Sequence, residues 1–257
     1  MDARSSRGSL VSGSSRGVLV FGAYGGIGAA VARRLGASGV PLALSGRDSH
    51  RLETLAQELD AAAIPADASV FNEVDDAVTR SVEELGSLAG VVNCVGSVLL
   101  KPAHLTSEDE FQSTIQTNLT SAFAVLRASV RPMIRSGGGS IVLVSTAAAQ
   151  IGLPNHEAIA AAKGGIDSLA RSAAATYGRR GIRVNVVSPG LVETPLTERI
   201  TSSEAARASS EAMHALGRIG KPDDVAGAVA WLLSDEASWV TGQTLGVDGG
   251  LGSARSA

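Results

Sequence analysis

Apolar runs alternate with amphipathic stretches along almost the whole chain. The first run, Val18 to Phe21, is β-prone and unbroken, which is typical of a strand covered on both faces. Similar runs predict further strands at residues 40–45, 62–66, 88–92, 141–144, 182–187 and 243–247. Residues with helical spacing predict helices at 29–35, 48–59, 72–85, 107–135 (where the pattern allows a break), 155–177 and 222–233. This alternation predicts an α/β fold in which one domain, residues 17–257, holds a doubly wound parallel sheet of about seven strands.

Short polar residues and a proline mark the starts of three predicted helices. Asp48 and Asn155 are residue types that favour the N-cap, and Pro222 suits the first helical position. Residues 194–214 lie between the last two of these helices and are Ser- and Ala-rich and poorly periodic. We expect them to form a mobile helical lid over a substrate.

Composition narrows the class of protein. A formal net charge of -3 gives no basic footprint for nucleic acid, and no apolar run approaches the ~20 residues of a membrane span. Residues 1–16 are rich in Ser, Arg and Gly and lack the apolar core of a signal peptide, so we predict a flexible tail. Cys94 has no partner for an intramolecular disulfide. We expect a cytoplasmic protein that contacts neither nucleic acid nor membrane, and no metal site is predicted.

A glycine-rich turn joins the first strand to the first helix. Glycines stand at positions 22, 26 and 28 in the spacing G-x-x-x-G-x-G, with a fourth at 25. Glycine allows the close backbone approach and positive φ that such a turn needs. A strand, a glycine turn and a helix N-terminus together favour binding of a phosphate group.

The other unusual polar and glycine-rich clusters also follow predicted strands. These clusters lie at residues 22–28, 46–47, 67, 93–96, 145–146 and 188–190. The carboxyl ends of parallel strands meet at one edge of the sheet, where doubly wound folds bind their ligands. The pattern therefore predicts one binding site built from all six clusters.

In these motifs the chain resembles the short-chain dehydrogenase/reductase family, from Gly17 to Gly250. The matching segments are residues 22–28, Asn93-Cys94-Val95-Gly96, Thr117-Asn118-Leu119, residues 188–195, Thr241-Gly242-Gln243 and residues 247–250. The resemblance implies a Rossmann-type fold, a nicotinamide dinucleotide, hydride transfer on a small-molecule substrate, and a homotetramer or homodimer. It also implies a set of cofactor-binding residues: Gly22, Tyr24, Gly26, Ile27, Gly28, Arg47, Asp67, Ala68, Asn93, Val95, Gly96, Lys163, Pro189, Gly190, Val192 and Thr194. Within this set, the resemblance implies that Asp67 binds the adenine amino group.

The catalytic helix departs from the family pattern. The family places a tyrosine four residues before a lysine, on one helix face, where the lysine lowers the tyrosine pKa and holds the nicotinamide ribose. Here Lys163 is preceded at that spacing by Ile159, which has no proton to give. Asn118 matches the active-site asparagine. The substrate-binding hydroxyl is Thr146 at the commonest family spacing, or Ser145 one residue earlier.

Two interpretations of Ile159 remain open. The protein could keep the fold and cofactor site yet act only as a binding protein or in non-redox chemistry. Alternatively, another group supplies the proton: His156, one turn earlier, its neighbour Glu157, or a water held by Asn118. Retention of Lys163 and Asn118 favours an enzyme that interconverts a carbonyl and an alcohol.

The end of the second strand predicts a preference for NADP(H), with NAD(H) possible. An acid there would bind the ribose 2′-hydroxyl and repel a 2′-phosphate. Ser45-Gly46-Arg47 offers no acid, and Arg47 can pair with a phosphate through two N–H groups, although Asp48 is adjacent.

Overall fold

The computed structural model describes residues 16–254, so almost all of the predicted tail, residues 1–15, lies outside the described part. All sheet neighbours run parallel, in the order β3-β2-β1-β4-β5-β6-β7. The strands are β1 Gly17–Phe21, β2 Leu42–Gly46, β3 Ala62–Pro65, β4 Leu88–Asn93, β5 Gly139–Val144, β6 Ile182–Pro189 and β7 Thr244–Val247. The predicted single-domain, doubly wound fold is confirmed.

Helices cover both faces of the sheet. They are α1 Gly26–Gly36, α2 Ser49–Leu59, α3 Phe71–Leu85, α4 Glu108–Ile115, α5 Ser121–Arg135, α6 Glu157–Tyr177, α7 Glu198–Thr201, α8 Glu204–Met213 and α9 Pro222–Leu233. Within residues 16–254, no helix combines the length and the apolar character needed to cross a membrane.

Alternate residues of the central strand enter two separate cores. Leu19 and Phe21 pack with the core under α3, α5 and α6, whereas Val18 and Val20 pack with the core under α1, α2 and α9. Successive strand side chains point to opposite faces of a sheet. Because both faces are buried, β1 must be apolar at every position, which explains its unbroken hydrophobic run.

Several element boundaries differ from the sequence prediction. The second strand begins at Leu42 rather than residue 40. The N-cap of α6 is His156, not Asn155, because Asn155 adopts a left-handed φ of 65° and its carbonyl accepts a hydrogen bond from the Lys101 N–H. Asparagine tolerates this conformation better than most residues. Asp48 does cap α2, accepting from the N–H of Arg51.

The long predicted helix over residues 107–135 is broken in its middle. Ser107 caps α4 in a reciprocal capping box with Glu110. A π-helical segment, Gln116–Thr120, then separates α4 from α5. Such segments insert an extra residue into the helical repeat and are frequent at functional sites. Residues 194–214 contain α7 and α8, and their motion as a lid stays a prediction.

The turn between β1 and α1 depends on glycine. Gly22 has a φ of 69°, and a Cβ there would approach the Val95 nitrogen to 2.9 Å. A Cβ on Gly28 would overlap the carbonyl oxygen of Gly22. The first turn of α1 therefore lies directly against the loop that leaves β1.

We predict that Gly28→Ala destabilises the protein by about 1–3 kcal/mol, because the added methyl group must push the loop away from α1. The matched control is Gly164→Ala in the middle of α6, where a Cβ meets nothing within 4 Å. There alanine should stabilise by about 0.5–1 kcal/mol through the helix backbone alone. Chemical denaturation of both variants measures this contrast, and equal effects would contradict it.

Candidate active site

The residues predicted for the site gather at the carboxyl edge of the sheet, around two adjoining cavities. The smaller, here called the edge pocket, has a volume of about 160 Å³, and the larger, here called the cleft, about 310 Å³. Cys94 and Gly96 line both. Predicted residues in the edge pocket are Gly22, Tyr24, Arg47, Asp67, Ala68, Val95 and Gly96. Those in the cleft are Ile27, Gly96, Ser145, Thr146, His156, Lys163, Pro189, Gly190, Val192 and Thr194.

Four predicted residues lie just behind these cavities. Gly26 and Gly28 form the turn itself, and the side chain of Thr194 lies over Gly26 where a Cβ would otherwise stand. Asn93 is buried at the end of β4, where its side-chain oxygen accepts from the N–H of Val95. Asn118, the fourth, is buried in the π-helical segment.

The two cavities and the glycine turn fit a dinucleotide. The glycines of the turn present backbone next to the N-terminus of α1, and the side chain nearest to Gly26 is that of Thr194. The edge pocket lies at the carboxyl edge of the sheet, and the cleft continues from it past Gly96. This arrangement matches the place where doubly wound folds bind dinucleotides.

Charged groups flank the outer end of the edge pocket. The Arg47 side chain is 73% exposed, and its guanidinium lies 3.7 Å from the Asp67 carboxylate. Burial tends to raise the pKa of Asp67, but hydrogen bonds from Ser69 and the charge of Arg47 hold that pKa below its usual value. A second guanidinium, on Arg51, stacks 4.7 Å from the centre of the Tyr24 ring.

The π-helical segment holds Asn118 in place by its side chain. The Asn118 side-chain oxygen accepts from the Ser97 N–H at 3.1 Å, and its amide donates to Ser97 Oγ and to the Thr114 carbonyl. A Cβ on Gly96 would lie 3.0 Å from that side-chain oxygen and 3.2 Å from Lys163 Nζ. Gly96 therefore separates two polar groups that approach the same backbone from different helices.

Lys163 is buried and makes a hydrogen bond with the end of β5. Its ammonium donates to the Val144 carbonyl at 2.8 Å. Burial lowers the pKa of Lys163 to about 8. Asp167, one turn further along α6, is 7% exposed and has one carboxylate oxygen without a hydrogen-bond partner. Burial raises the pKa of Asp167, and the nearby hydroxyls of Ser145 and Thr244 partly offset that rise.

The two candidate hydroxyls differ in their surroundings. Ser145 is buried, and its hydroxyl donates to the Lys163 carbonyl at 3.2 Å. Thr146 is half-buried, and its hydroxyl accepts only a long bond from the Ala148 N–H at 3.4 Å. Both line the cleft, but Thr146 has the freer hydroxyl toward a ligand.

Ile159 and His156 face the same cleft as Lys163. Ile159 is buried, with 4% of its surface exposed. The His156 Nδ1 lies 2.7 Å from the Pro154 carbonyl, so Nδ1 carries the hydrogen and Nε2 is left without that bond. Glu157 is exposed and is not among the residues that line the cleft.

Three further residues at this site were not predicted from the sequence. Ser97 holds Asn118, Asp167 lies beside Lys163, and His214 closes the base of the 194–214 segment. The imidazole of His214 is 2% exposed; its Nδ1 donates to the Ser210 carbonyl, and its Nε2 accepts from the Leu191 N–H at 3.2 Å. Only Asp167 carries a local signal, an acid four residues after a lysine on one helix.

The fold and the cavities at its carboxyl edge are typical of dinucleotide-binding α/β proteins. A family model described as enoyl-(acyl carrier protein) reductase matches residues 22–252. The 3beta-hydroxysteroid dehydrogenase 1 of Eggerthella lenta is 36% identical over 241 residues, covering 91% of this chain and 92% of that protein. The 3-oxoacyl-(acyl-carrier-protein) reductase of Thermotoga maritima is 35% identical over 240 residues, covering 91% of this chain and 96% of that protein.

Solved structures agree with these relatives. A short-chain type dehydrogenase/reductase from Mycobacterium ulcerans superposes with a TM-score of 0.90 at 35% identity, covering 96% of this chain and 93% of that one. A putative gluconate dehydrogenase from Agrobacterium tumefaciens gives a TM-score of 0.91 at 30% identity, covering 96% of this chain and 100% of that one. The chain belongs to the short-chain dehydrogenase/reductase family, whose members use nicotinamide cofactors.

The lowered pKa of Lys163 predicts a pH-dependent stability. In the unfolded chain a lysine keeps its proton up to about pH 10.4, whereas the buried ammonium loses it near pH 8. Between these values the unfolded state binds more protons, so the stability contribution of Lys163 rises with pH. Below pH 8 both states are charged and the cost of burying the ammonium is fully present.

We therefore predict that the wild-type protein gains stability relative to Lys163→Met between about pH 8 and 10.4, by on the order of 2–3 kcal/mol. Urea denaturation of the ligand-free proteins across this range measures the difference. Lys101→Met, at a lysine paired with Glu110, controls for loss of a lysine as such. A wild-type advantage that does not grow with pH would contradict the prediction.

Proposed function

We propose that this protein is an NADP(H)-dependent oxidoreductase that interconverts a carbonyl and an alcohol on a small molecule, with an atypical proton donor. The observation that carries the proposal is that Lys163 Nζ and the Asn118 side-chain oxygen both lie against Gly96, where the two cavities meet. When bound, the nicotinamide supplies or takes up the hydride. The residues of the chain hold the ligands and handle the proton.

In this proposal three side chains position the reactants. Lys163 donates hydrogen bonds to the nicotinamide ribose from its position on α6. Thr146 donates its hydroxyl to the substrate oxygen, a role for which it is freer than Ser145. Asn118 fixes the backbone at Ser97 and so shapes the floor shared by both ligands.

The proton source is the atypical part. Ile159 lines the cleft one helical turn from Lys163 and has no proton to transfer. His156 is the titratable side chain on the preceding turn that also lines the cleft, whereas Glu157 is exposed outside it. Both amide hydrogens of Asn118 are engaged, so a water bound there could contact only the remaining lone pair of its oxygen. These contacts favour His156 over water.

We predict that His156→Ala lowers kcat by about 10²–10⁴-fold, the range of a general acid or base. A histidine donor also predicts that any pH-dependent limb of the rate profile that depends on it vanishes in the alanine variant. His104→Ala, at an exposed histidine elsewhere, is the matched control. Full activity of His156→Ala at every pH would exclude histidine and leave water.

Ile159→Tyr tests the rest of the same site. The new phenol would stand one turn from Lys163, whose charge lowers a phenol pKa, so carbonyl reduction should accelerate if the site is otherwise competent. Ile159→Phe adds the ring without the hydroxyl and controls for packing. If neither wild type nor Ile159→Tyr turns over any carbonyl or alcohol while NADP(H) still binds, the alternative function applies, a non-redox enzyme or a cofactor-binding protein.

The proposed NADP(H) preference is supported by the end of β2. A Cβ on Gly46 would collide with the Tyr24 ring, so an acidic side chain cannot stand at 46 while that ring is in place. The Tyr24 hydroxyl accepts from the Asp48 N–H, which holds the ring there. Arg47 lines the edge pocket and would pair with a 2′-phosphate bound there, while Arg51 holds the other face of the Tyr24 ring nearby.

We predict that Arg47→Ala lowers the affinity for NADP+ by about 10-fold or more, because a charge-assisted hydrogen bond is worth roughly 1.5–3 kcal/mol. The affinity for NAD+ should stay almost unchanged. Isothermal titration calorimetry with both dinucleotides measures this. Arg131→Ala, at an exposed arginine of α5, is the control. Equal wild-type affinity for NADP+ and NAD+, unaltered in Arg47→Ala, would contradict the proposed NADP(H) preference.

We also propose that the protein assembles as a homotetramer or homodimer. Supporting this, Phe111 on α4, Phe123 on α5 and Trp239 before β7 are all exposed, and Trp239 is 98% exposed. Exposed aromatic side chains of this size are enriched where subunits meet.

A further inference from the structure

The mouth of the cleft collects apolar side chains from three separate segments. Ten large apolar side chains are exposed in the described part of the chain, and four of them line this cleft: Val98, Leu100, Leu196 and Met213. They come from the loop after β4, the turn before α7 and the end of α8. Leu153, from the loop before α6, and Ile200 add to the same surface.

Such a concentration is not expected by chance. Single exposed apolar residues are normal, but contiguous exposed apolar surface marks a binding site. Here the apolar groups belong to segments far apart in sequence, and their shared position arises only from the fold. The surface they form is continuous with Ile159 inside the cleft.

The small number of charged side chains in the cleft also favours an apolar ligand. Among the described residues that line it, there is no Asp, Glu or Arg, and Lys163 is the one lysine. That ammonium is buried and donates to the Val144 carbonyl. In the proposed function it is occupied by the ribose.

Two charged side chains next to lining residues form ion pairs outside the lining. Lys101, next to Leu100, forms an ion pair with Glu110 at 2.7 Å. Glu193, next to Val192, pairs with Arg207 at 2.9 Å. A substrate carboxylate or phosphate entering this cleft would lose water and meet no cation among the lining residues other than Lys163, which is costly.

Hydroxyl and imidazole side chains also line the cleft, but several are already hydrogen-bonded within the chain: Ser145 to Lys163, Thr197 to Val192, and His214 to Ser210 and Leu191. Thr146 and His156 are the lining groups that leave a hydroxyl and an imidazole nitrogen for a ligand. An apolar cavity with a small number of polar groups binds an apolar molecule and orients one functional group of it. Replacement of the family tyrosine by Ile159 makes this cavity more apolar still.

We propose that the substrate is an uncharged, predominantly hydrocarbon molecule with one carbonyl or hydroxyl group held near Thr146. This inference deepens the proposed function and rests on it for the identity of the reacting group. The apolar body lies against Leu100, Leu153, Leu196 and Met213. Substrates with a carboxylate or phosphate next to the reacting carbon are excluded by the cleft.

A pair of ketones of similar size tests this by binding, independently of turnover. The probes are 4-tert-butylcyclohexanone and 4-oxocyclohexanecarboxylate, titrated calorimetrically into the protein with and without saturating NADP+. We expect the tert-butyl ketone to bind about 10-fold more tightly or better, the scale of a mismatched group in an apolar pocket. Equal or tighter binding of the carboxylate, or no binding of either, would overturn the inference.

A charge placed at the mouth should reverse the preference. Met213→Lys should bind the tert-butyl ketone several-fold more weakly than wild type does. It should bind the carboxylate more tightly than wild type does. Leu105→Lys is the matched control, because Leu105 is 59% exposed and is not among the residues that line the cleft. The same shift in both variants would count against a role for the mouth.

Turnover of the two ketones with NADPH separates this inference from the proposed function. Selective binding without turnover supports the apolar substrate class and contradicts the proposed carbonyl–alcohol interconversion. Equal turnover and equal binding of both ketones keeps the function and removes the substrate class.

Discussion

The buried ammonium of Lys163 is the constraint on which the site depends. A cation removed from water must find acceptors, and this one donates to the Val144 carbonyl at the end of β5. That bond fixes α6 against the carboxyl edge of the sheet, and with it the neighbouring turn that carries Ile159 and His156. Gly96 completes the arrangement, since any Cβ there would displace either Lys163 or Asn118. The geometry of the cleft is therefore set by polar contacts at its closed end.

The residues around the edge pocket and those around the cleft differ in how well they match a single kind of ligand. Around the edge pocket, the glycine turn, Gly46 without a side chain and the cation Arg47 are compatible with a phosphate-bearing ligand, and Asp67 is the opposing charge. Around the cleft, Lys163 and Ile159 lie one turn apart on α6. Natural proteins depart from local rules mainly where function requires it. In the proposed function, Ile159 goes with an altered substrate and proton route rather than with loss of the whole site.

Sequence patterns predicted the sheet and the edge of the site well, for identifiable reasons. Buried parallel strands must be apolar throughout, and chain direction alone places their ends together, so no tertiary detail was needed. The sequence predicts Asn155 as the N-cap of α6, whereas the structure has His156 there. Asn155 adopts a left-handed conformation and accepts a hydrogen bond from Lys101, which lies in a loop distant in sequence. The π-helical segment and the apolar mouth of the cleft also arise from packing between remote segments. No local periodicity in the sequence predicts either feature.

His214 has a consequence for how α8 is joined to the sheet. One imidazole joins α8, through the Ser210 carbonyl, to the strand exit at Leu191. Any displacement of α8 must carry Leu191 with it or leave a buried N–H unpaired, at a cost of about 1–3 kcal/mol. The helix that covers the cleft and the end of β6 are therefore tied together by one side chain, and a His214 variant would separate them without altering any other residue of the cleft.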